Sequence, residues 1–482
     1  MNPIIVIITI LAYFVVLFSI SYAAGRKADN EGFFVGNRKS KWYVVAFATI
    51  GTAISGVTFV SVPGMVQANG FAYLQMVLGF IVGYFIIAFV LIPLYYKMNL
   101  ISIYEYLENR FGISSYKTGA WFFFISKMLG ASVRFFLVCL TLQLLIFEPY
   151  HLPFWLNVII NIIIVWLYTF KGGVKSIIWT DSLKTFCLIV SVGLCIYYIA
   201  VELNMNFTGM CKSIFNNDMS RLFFFDDVND KHFFFKQFFA GVFTVIAMTG
   251  LDQDMMQRNL SCKNYHDSQK NIITSGISQF FINLLFLMLG VLLYIFAQKV
   301  GITATGDKLF PAVATSHYFP SIVGILFIIG LISSAYSTAG SALTALTTSF
   351  TVDILRAKNQ EENKLAKTRK RVHIMMAIAM GLVIYIFNLL NNTSVIDAVY
   401  ILASYTYGPI LGMFAFGILT KAKVRDKYIP IVAVISPIAC YILQSNSANW
   451  FNGYKFSYEL LIFNALFTFI GFCLLIKKNN RK

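Results

Sequence analysis

The sequence predicts an all-α membrane protein of about thirteen transmembrane helices, and its composition and hydropathy pattern are the reasons. Of 482 residues, 58% are hydrophobic and only 12% are charged, about half the charged share of an ordinary soluble domain. The apolar residues form runs of roughly the 20 residues that cross a bilayer, with short polar segments between them. We place the spans at 3–22, 43–67, 71–95, 118–146, 153–170, 177–201, 235–257, 271–298, 320–352, 373–390, 396–420, 429–445 and 457–476.

The first apolar run, residues 3–22, lies where a secretory signal peptide would also lie. A signal peptide needs a positively charged segment ahead of its apolar core. Only Met1 and Asn2 precede this run, and the run itself holds no basic residue. We therefore expect it to be retained as the first transmembrane helix.

Basic residues predict which loops face the cytoplasm, because the cytoplasmic loops of membrane proteins collect Lys and Arg. Of the 38 Lys and Arg residues, 28 fall in one alternating set of loops and the C-terminal tail, six fall in the other set and four lie within spans. This predicts a multi-pass protein of the cell (inner) membrane with its N-terminus outside and its C-terminus in the cytoplasm. The net charge of +17 is then explained by contact with anionic membrane lipids, and no nucleic-acid partner is expected.

Motifs for ATP hydrolysis and for common enzyme chemistries are absent from the sequence. It contains no P-loop, HExxH, CxxC or GxSxG pattern. Its histidines are scattered, at His151, His232, His266, His317 and His373. A membrane acyl- or glycosyl-transferase needs a catalytic histidine, an aspartate pair or a metal site at an interface. We therefore expect that the protein is not an enzyme, and that any uphill transport uses an ion gradient.

Ionisable residues inside apolar spans are costly and mark candidate functional sites. Arg134 lies midway along the fourth span, and Asp181 lies a short way into the sixth span from its predicted cytoplasmic end. Each also has a structural interpretation, an ion pair with a neighbouring charge. From the residues alone, neither interpretation is favoured.

Four other charged residues lie near the predicted cytoplasmic ends of spans. For Lys127 and Lys184 we expect the long side chain to extend to the interface. Asp252 and Asp254 end the seventh span and have solvation as their simplest interpretation.

Small and polar residues at the middle of two spans indicate a cation site. The second span contains GTAISGVTF at residues 51–59, whose glycines favour a break in the helix that frees backbone carbonyls. The ninth span runs in the opposite direction, which brings Ser337 and Thr338 near the same depth. Ser341 falls one turn closer to the cytoplasm, near Asp181. Carbonyl and hydroxyl oxygens gathered in this way are typical of a bound sodium ion, whereas close helix packing is the simpler explanation of the small residues.

Four segments, in order along the chain, resemble the motifs of one transporter family. They are EGFFVGNRKSKWYVV at 31–45, ISIYEYLENRFG at 101–112, WTD at 179–181 and YSTAGSALTALTTSFTVDIL at 336–355. At this spacing the sequence resembles the sodium/solute symporter family, which includes cotransporters of glucose, proline, iodide and sialic acid. Asn37 departs from the small residue that is common at its position.

The resemblance implies the LeuT-like core of that family, a five-plus-five inverted repeat within a single membrane domain over residues 1–482. The implied parts are an extra helix at 3–22, a first repeat at 43–201, a second repeat at 235–420 and extra C-terminal helices at 429–476. It also implies sodium (Na+) as the coupling ion. The implied main sodium site comprises side-chain oxygens of Ser337 and Thr338 and carbonyls of Gly51, Ile54 and Ser334.

A candidate second sodium site is implied by family members that have a carboxylate at the position of Asp181. It comprises Asp181, Ser337 and Ser341. Gly340 replaces a hydroxyl that some relatives have at that position, so whether this site is occupied stays open.

The implied substrate follows from Arg134, because a planar guanidinium suits a carboxylate through two parallel hydrogen bonds. Within the family, Arg134 is similar to the carboxylate-binding arginine of the sialic acid transporters. The implied substrate-binding residues are Ser55, Thr58, Phe71, Gln75, Arg134 and Phe243. For Phe71 and Gln75, ordinary packing explains the residues equally well.

Three alternatives to a sodium-coupled importer of N-acetylneuraminate remain open on the sequence. The first is a symporter of the same family for a neutral sugar, a monocarboxylate or an inorganic anion. The second is a membrane enzyme, and the third is a channel or sensor. The expected partners are a small solute, sodium and membrane lipids.

Overall fold

The computed structural model of the chain describes residues 3–25, 42, 46, 55–98, 100, 102–169, 174–260, 262–355, 357, 361–390 and 394–477. Their regular structure is helical apart from isolated β-bridges such as that between Val424 and Ile476. The α-helices, in chain order, are α1 (Pro3–Gly25), α2 (Gly56–Gly64), α3 (Val66–Asn69), α4 (Ala72–Ile86), α5 (Ile92–Lys97), α6 (Glu105–Arg110), α7 (Ile113–Leu142), α8 (Phe154–Thr169), α9 (Val174–Glu202), α10 (Phe207–Phe215), α11 (Phe234–Val245), α12 (Gln253–Asn259), α13 (Tyr265–Val300), α14 (Leu309–Ala314), α15 (Ser321–Ser349), α16 (Glu362–Leu390), α17 (Val395–Thr406), α18 (Gly408–Leu419), α19 (Ile429–Trp450) and α20 (Leu460–Leu474).

Helix lies within each of the thirteen predicted spans, which confirms an all-helical membrane protein. Among the residues described, six helical stretches are individually long and apolar enough to cross a membrane, and up to eight if each of two bent pairs is one span. The six are Ala72–Lys97, Ile113–Tyr150, Tyr265–Val300, Ser321–Ser349, Lys364–Leu390 and Asp426–Trp450. The other predicted spans contain shorter or bent helices, so the count of thirteen and the division into repeats stay predictions.

The surface of α19 indicates contact with lipid. Its residues Ile431, Val434, Ile435 and Ile438 are each more than half exposed, although all are aliphatic. Their spacing places them along one face of the helix. An aliphatic stripe of this kind is stable where hydrocarbon replaces water.

Several of the long helices are interrupted rather than straight. Short π-helical segments follow α4, α7, α11 and α15, at Ile87–Leu91, Gln143–Phe147, Ile246–Gly250 and Phe350–Ile354. α17 and α18 meet at Tyr407 with a bend of 48°. Such interruptions turn side chains away from the regular helical register, and two of them, at 246–250 and at Tyr407, border the central cavity described below.

α4 and α11 pack backbone against backbone because glycines face each other across their interface. A Cβ atom added at Gly79 would lie 2.0 Å from the carbonyl oxygen of Phe238. A Cβ atom added at Gly241 would lie 2.0 Å from the carbonyl oxygen of Met76. Small residues allow this approach between membrane helices, and no side chain larger than hydrogen fits without moving a backbone.

We expect Gly241→Val to separate α4 from α11 and to lower stability by about 1–3 kcal/mol or more, the usual range for overpacking. The measurement is thermal unfolding of the purified protein in detergent. Gly193→Val is the matched control, since a Cβ atom at Gly193 of α9 meets nothing within 4 Å. Equal melting temperatures for the two variants would contradict the close approach.

The loops separate into two groups at opposite ends of the bundle. At one end, the carboxylate of Asp426 accepts hydrogen bonds from Ser114 and Ser115, and Tyr96 contacts Cys262. At the other end, the backbone nitrogen of Phe71 donates a hydrogen bond to the backbone carbonyl of Arg221. Further contacts at that end join Lys299 to Glu202, Val395 to Asp307 and Gln237 to Ser457.

The two groups coincide with the loop sets that the distribution of Lys and Arg predicts as cytoplasmic and outer. The alternation of the spans therefore agrees with the structure. Which end faces the cytoplasm stays a prediction.

Candidate functional site

A cavity of about 140 Å³ lies among α2, α4, α7, α12, α15, α17 and the π-helical segment after α11. The lining residues that bear charged groups, hydroxyls or amides are Ser55, Thr58, Tyr73, Tyr84, Ser126, Lys127, Arg134, Thr244, Thr249, Asp252, Asp254, Gln279, Thr338, Ser341, Tyr400 and Tyr407. A cavity with this many polar groups in the middle of an apolar bundle is a candidate transport site, because such groups are rarely placed at membrane depth without a function.

α7 contributes two cations to one wall of this cavity. Lys127 and Arg134 are seven residues apart, which is two turns or about 10 Å along the helix axis. Both side chains line the cavity, with Gly130 and Ala131 between them. The two positive charges therefore lie at two different depths of the same cavity.

Lys127 is bound by two carboxylates. Its ammonium lies 3.2 Å from the nearest carboxylate oxygen of Asp252 and 3.1 Å from one of Asp254. The side chains of Lys127, Asp252 and Asp254 are 9%, 4% and 14% exposed. The hydroxyl of Tyr407 donates a 2.9 Å hydrogen bond to Asp252, and that of Ser341 donates bonds of 2.9 and 3.0 Å to Asp254.

This network corrects the sequence-based interpretation of three residues. Lys127 does not extend to the interface, and Asp252 and Asp254 are not simply solvated. The chain turns at Leu251, directly after the π-helical segment 246–250, and this turn directs both carboxylates toward α7. The hydropathy pattern gave no sign of the pairing, because the partners are separated by 125 and 127 positions.

Arg134 differs from Lys127 in having no carboxylate partner in the described part of the chain. Among the residues that the structure describes, no Asp or Glu oxygen lies within the 4.0 Å of an ion pair with its guanidinium. The tyrosines Tyr400 and Tyr407 line the same cavity as Arg134. A cation without a counterion, facing a cavity, is suited to an anion that enters from outside the protein.

Hydroxyls at the start of α2 and along α15 line the same cavity. α2 begins at Gly56. The side chain of Ser55 caps the helix by accepting a hydrogen bond from the backbone nitrogen of Thr58. The two hydroxyls lie 3.3 Å apart. On α15, the hydroxyl of Thr338 donates a 2.9 Å bond to the carbonyl of Ser334.

Only part of the predicted main sodium site can be located. Thr338 lines the cavity, whereas Ser334 and Ser337 are buried beside it in α15. Gly51 and Ile54 lie outside the residues described. The assignment of these five residues to sodium stays a prediction.

The predicted second sodium site is located only through α15. Ser341 lines the central cavity and donates a hydrogen bond to Asp254. Asp181 belongs to α9, but its side chain lies outside the described part of the structure. The grouping of Asp181 with Ser337 and Ser341 therefore stays a prediction.

Three of the predicted substrate residues do not line the central cavity. Phe71 and Phe243 pack with the apolar core. The amide of Gln75 is used by the loop before α11: it donates a 2.9 Å bond to the carbonyl of His232 and accepts a 3.1 Å bond from the nitrogen of Phe224. Gln75 therefore holds that loop against α4 through hydrogen bonds. The predicted substrate residues that line the cavity together are Ser55, Thr58 and Arg134.

Tyrosines form much of the cavity wall, although they were not among the residues predicted from the sequence. Tyr84 donates a 2.8 Å hydrogen bond to Gln279, and the hydroxyls of Tyr73 and Tyr400 lie 2.8 Å apart. Tyr73 also lines a second cavity of about 210 Å³ on the predicted outer side, beside His232. A tyrosine within an apolar span needs a hydrogen-bond partner for its hydroxyl. Its position in such a span is the feature of the sequence that could have identified each of these residues.

The comparison with protein families gives one match that covers most of the chain. A family described as the sodium:solute symporter family matches residues 33–425. Among curated proteins, the human sodium/iodide cotransporter is 23% identical over 417 residues, which is 84% of this chain and 63% of that protein. The sodium/sialic acid symporter NanT of Aliivibrio fischeri is 23% identical over 454 residues, which is 89% of this chain and 85% of that protein.

Among solved structures, a Na+-coupled sialic acid symporter in a substrate-bound outward-open state has a TM-score of 0.81. The two chains are 18% identical, and the match covers 98% of this chain and 97% of the other. At this level of identity the likeness is evidence for the fold, which is all-helical and LeuT-like. The chain spans less than two thirds of the length of the iodide cotransporter.

Proposed function

Because the chain belongs to the sodium:solute symporter family, a family of transporters and not of enzymes, we propose that it is a sodium-coupled symporter of a small carboxylate-bearing solute, such as N-acetylneuraminate. The solute binds in the central cavity and is released by alternating access from the two ends of the bundle. Sodium acts as the coupling ion and not as a resident cofactor.

The observation that carries this proposal is the contrast between the two cations of α7. Lys127 already has two carboxylates within 3.2 Å, so its charge is compensated inside the protein. Arg134 has no such partner among the described residues. An incoming carboxylate supplies the missing counterion and can form two parallel hydrogen bonds with the guanidinium.

The remaining cavity wall suits a polyhydroxylated molecule. Hydroxyls of Ser55, Thr58 and Tyr84 and the amide of Gln279 line the same space as Arg134. Each hydroxyl can donate as well as accept a hydrogen bond. A sugar acid presents both kinds of group, a carboxylate and several hydroxyls, whereas a neutral sugar would leave Arg134 without a counterion.

The proposed main sodium site belongs to α15 and to the residues that precede α2. It comprises the side-chain oxygens of Ser337 and Thr338 and the carbonyls of Gly51, Ile54 and Ser334. Support comes from Thr338, whose hydroxyl donates to Ser334 and so directs its lone pairs away from that carbonyl and toward the cavity. Hydroxyl and carbonyl oxygens are hard ligands suited to a small cation.

An inorganic anion is the second candidate substrate. The human sodium/iodide cotransporter is as similar in identity to this chain as the sialic acid symporter NanT. Arg134 alone would also attract a monovalent anion. The hydroxyls around it are what favour the sugar acid.

Uptake into proteoliposomes tests the proposal directly. Radiolabelled N-acetylneuraminate, lactate, iodide and glucose are supplied with an inward sodium gradient, and a matched potassium gradient is the control. We expect sodium-dependent uptake of N-acetylneuraminate that exceeds that of glucose. Sodium-dependent uptake of iodide or lactate alone would retain the symporter and replace the substrate, and uptake that is equal in both gradients would contradict sodium coupling.

A further inference from the structure

We propose that the ammonium group of Lys127 is a tethered cation that takes the place of a second sodium ion, so that the chain binds a single sodium ion. The inference rests on the proposed sodium-coupled function and specifies its ion stoichiometry. It assigns a role to Lys127, Asp254 and Ser341 together.

The surroundings of the Lys127 ammonium are those of a bound cation. The five side-chain oxygens of Asp252, Asp254 and Ser341 belong to one connected group. The ammonium lies 3.2 Å from both oxygens of Asp252 and 3.1 Å from one oxygen of Asp254. Asp254 is held in turn by Ser341. The group is largely buried, with the Lys127 side chain 9% exposed, so the ammonium replaces the charge of an ion that would otherwise be needed there.

Ser341 links this group to the predicted second sodium site. The sequence predicts its hydroxyl as a ligand of a second ion. In the structure that hydroxyl donates its proton to Asp254, and the cation that neutralises Asp254 is Lys127. The oxygen that would bind a second ion is therefore part of a network that already contains a positive charge.

The formal charges of the described residues that line the cavity are balanced. Lys127 and Arg134 contribute two positive charges, and Asp252 and Asp254 contribute two negative charges. One sodium ion and one carboxylate enter this cavity as a neutral pair. Beside these described residues, a second sodium ion would be an excess positive charge at membrane depth, where uncompensated charge is strongly unfavourable.

Counting bound sodium on the purified full-length chain tests the inference without knowledge of the solute. Equilibrium binding of radiolabelled sodium is measured in detergent for the wild type and four variants. We expect about one ion for the wild type and about two for Lys127→Gln, because the carboxylate of Asp254 loses the Lys127 ammonium and, with Ser341, then offers oxygens to sodium. In Lys127→Gln/Asp254→Asn the net charge of the wild type is restored, and we expect the count to return to about one.

Lys299→Gln is the matched control, since the ammonium of Lys299 lies outside the cavity and donates to the carbonyl of Glu202. It should bind sodium as the wild type does. If Lys127→Gln does not fold, the wild-type count still decides, together with Asp181→Asn. One ion that is retained in Asp181→Asn supports the tethered cation.

Two ions in the wild type, or one ion in a folded Lys127→Gln variant, would overturn the inference. If the wild type binds two ions and Asp181→Asn binds one, the second ion belongs to Asp181. These results would still be consistent with the proposed sodium-coupled transport. A wild-type chain that binds no sodium contradicts the proposed function itself.

Discussion

Arg134→Ala is expected to abolish binding of N-acetylneuraminate while leaving sodium binding unchanged. Removing one partner of a desolvated, hydrogen-bonded charge pair costs about 2–5 kcal/mol, because the other charge is left without a counterion. That corresponds to a loss of affinity of roughly 30-fold to several thousand-fold. Isothermal titration of the purified variant in sodium buffer measures it.

Arg134→Lys separates charge from geometry at the same position. An ammonium keeps the positive charge but cannot form the planar two-point contact that a guanidinium makes with a carboxylate. We therefore expect weakened binding that is intermediate between the wild type and Arg134→Ala. Arg221→Ala is the matched control, because Arg221 lies in an exposed loop and pairs with Asp226 outside the cavity.

The ligand series gives a second, independent test of the role of Arg134. The methyl ester of N-acetylneuraminate keeps every hydroxyl of the acid and removes only the charge. We expect the wild type to prefer the acid and Arg134→Ala to lose that preference. If the ester binds the wild type as tightly as the acid, Arg134 is a structural residue and only the sodium-coupled transporter remains.

Ser337→Ala and Thr338→Ala should each raise the half-saturating sodium concentration of transport by roughly ten-fold or more. Removing a ligand oxygen leaves the ion under-coordinated in a largely water-free site, which costs about 1–3 kcal/mol. The measurement is initial uptake as a function of sodium concentration, with the ionic strength held constant. Solute affinity measured at saturating sodium should change much less.

Thr344→Ala is the control for these variants. Thr344 lies on the same helix, and its hydroxyl donates a 2.8 Å bond to the carbonyl four residues earlier, as that of Thr338 does. It does not line the cavity. A sodium dependence that is unaltered in Ser337→Ala and Thr338→Ala, or that shifts as much in Thr344→Ala, would contradict the assigned main site.

Cavity residues that are polar and lie inside an apolar span could be identified from the sequence. Arg134 is conspicuous in an apolar span because an intramembrane charge is expensive. Thr338 and Ser341 are conspicuous as hydroxyls one turn apart in the ninth span. All three line the central cavity, and each was recognised from its chemical type and its depth alone.

Phe71 and Gln75 show where that reasoning stops. Phe71 immediately precedes α4 and Gln75 lies in its first turn, but this spacing does not determine which neighbour each side chain meets. In the structure, Gln75 contacts the loop that contains Phe224 and His232, about 150 positions away. No local pattern encodes such a contact.

The sequence by itself determined that this protein lies in lipid, where its helices fall along the chain and to which family it belongs. These properties depend on composition and on runs of about 20 residues, which are local quantities. Only the tertiary structure decided which charges are neutralised. Lys127 and Arg134 have the same sign and lie on the same face of α7, and hydropathy does not distinguish them. The turn at Leu251 brings two carboxylates to Lys127, and none of the carboxylates that the structure describes pairs with Arg134. The packing of distant helices, and not the local sequence, determines where a counterion lies.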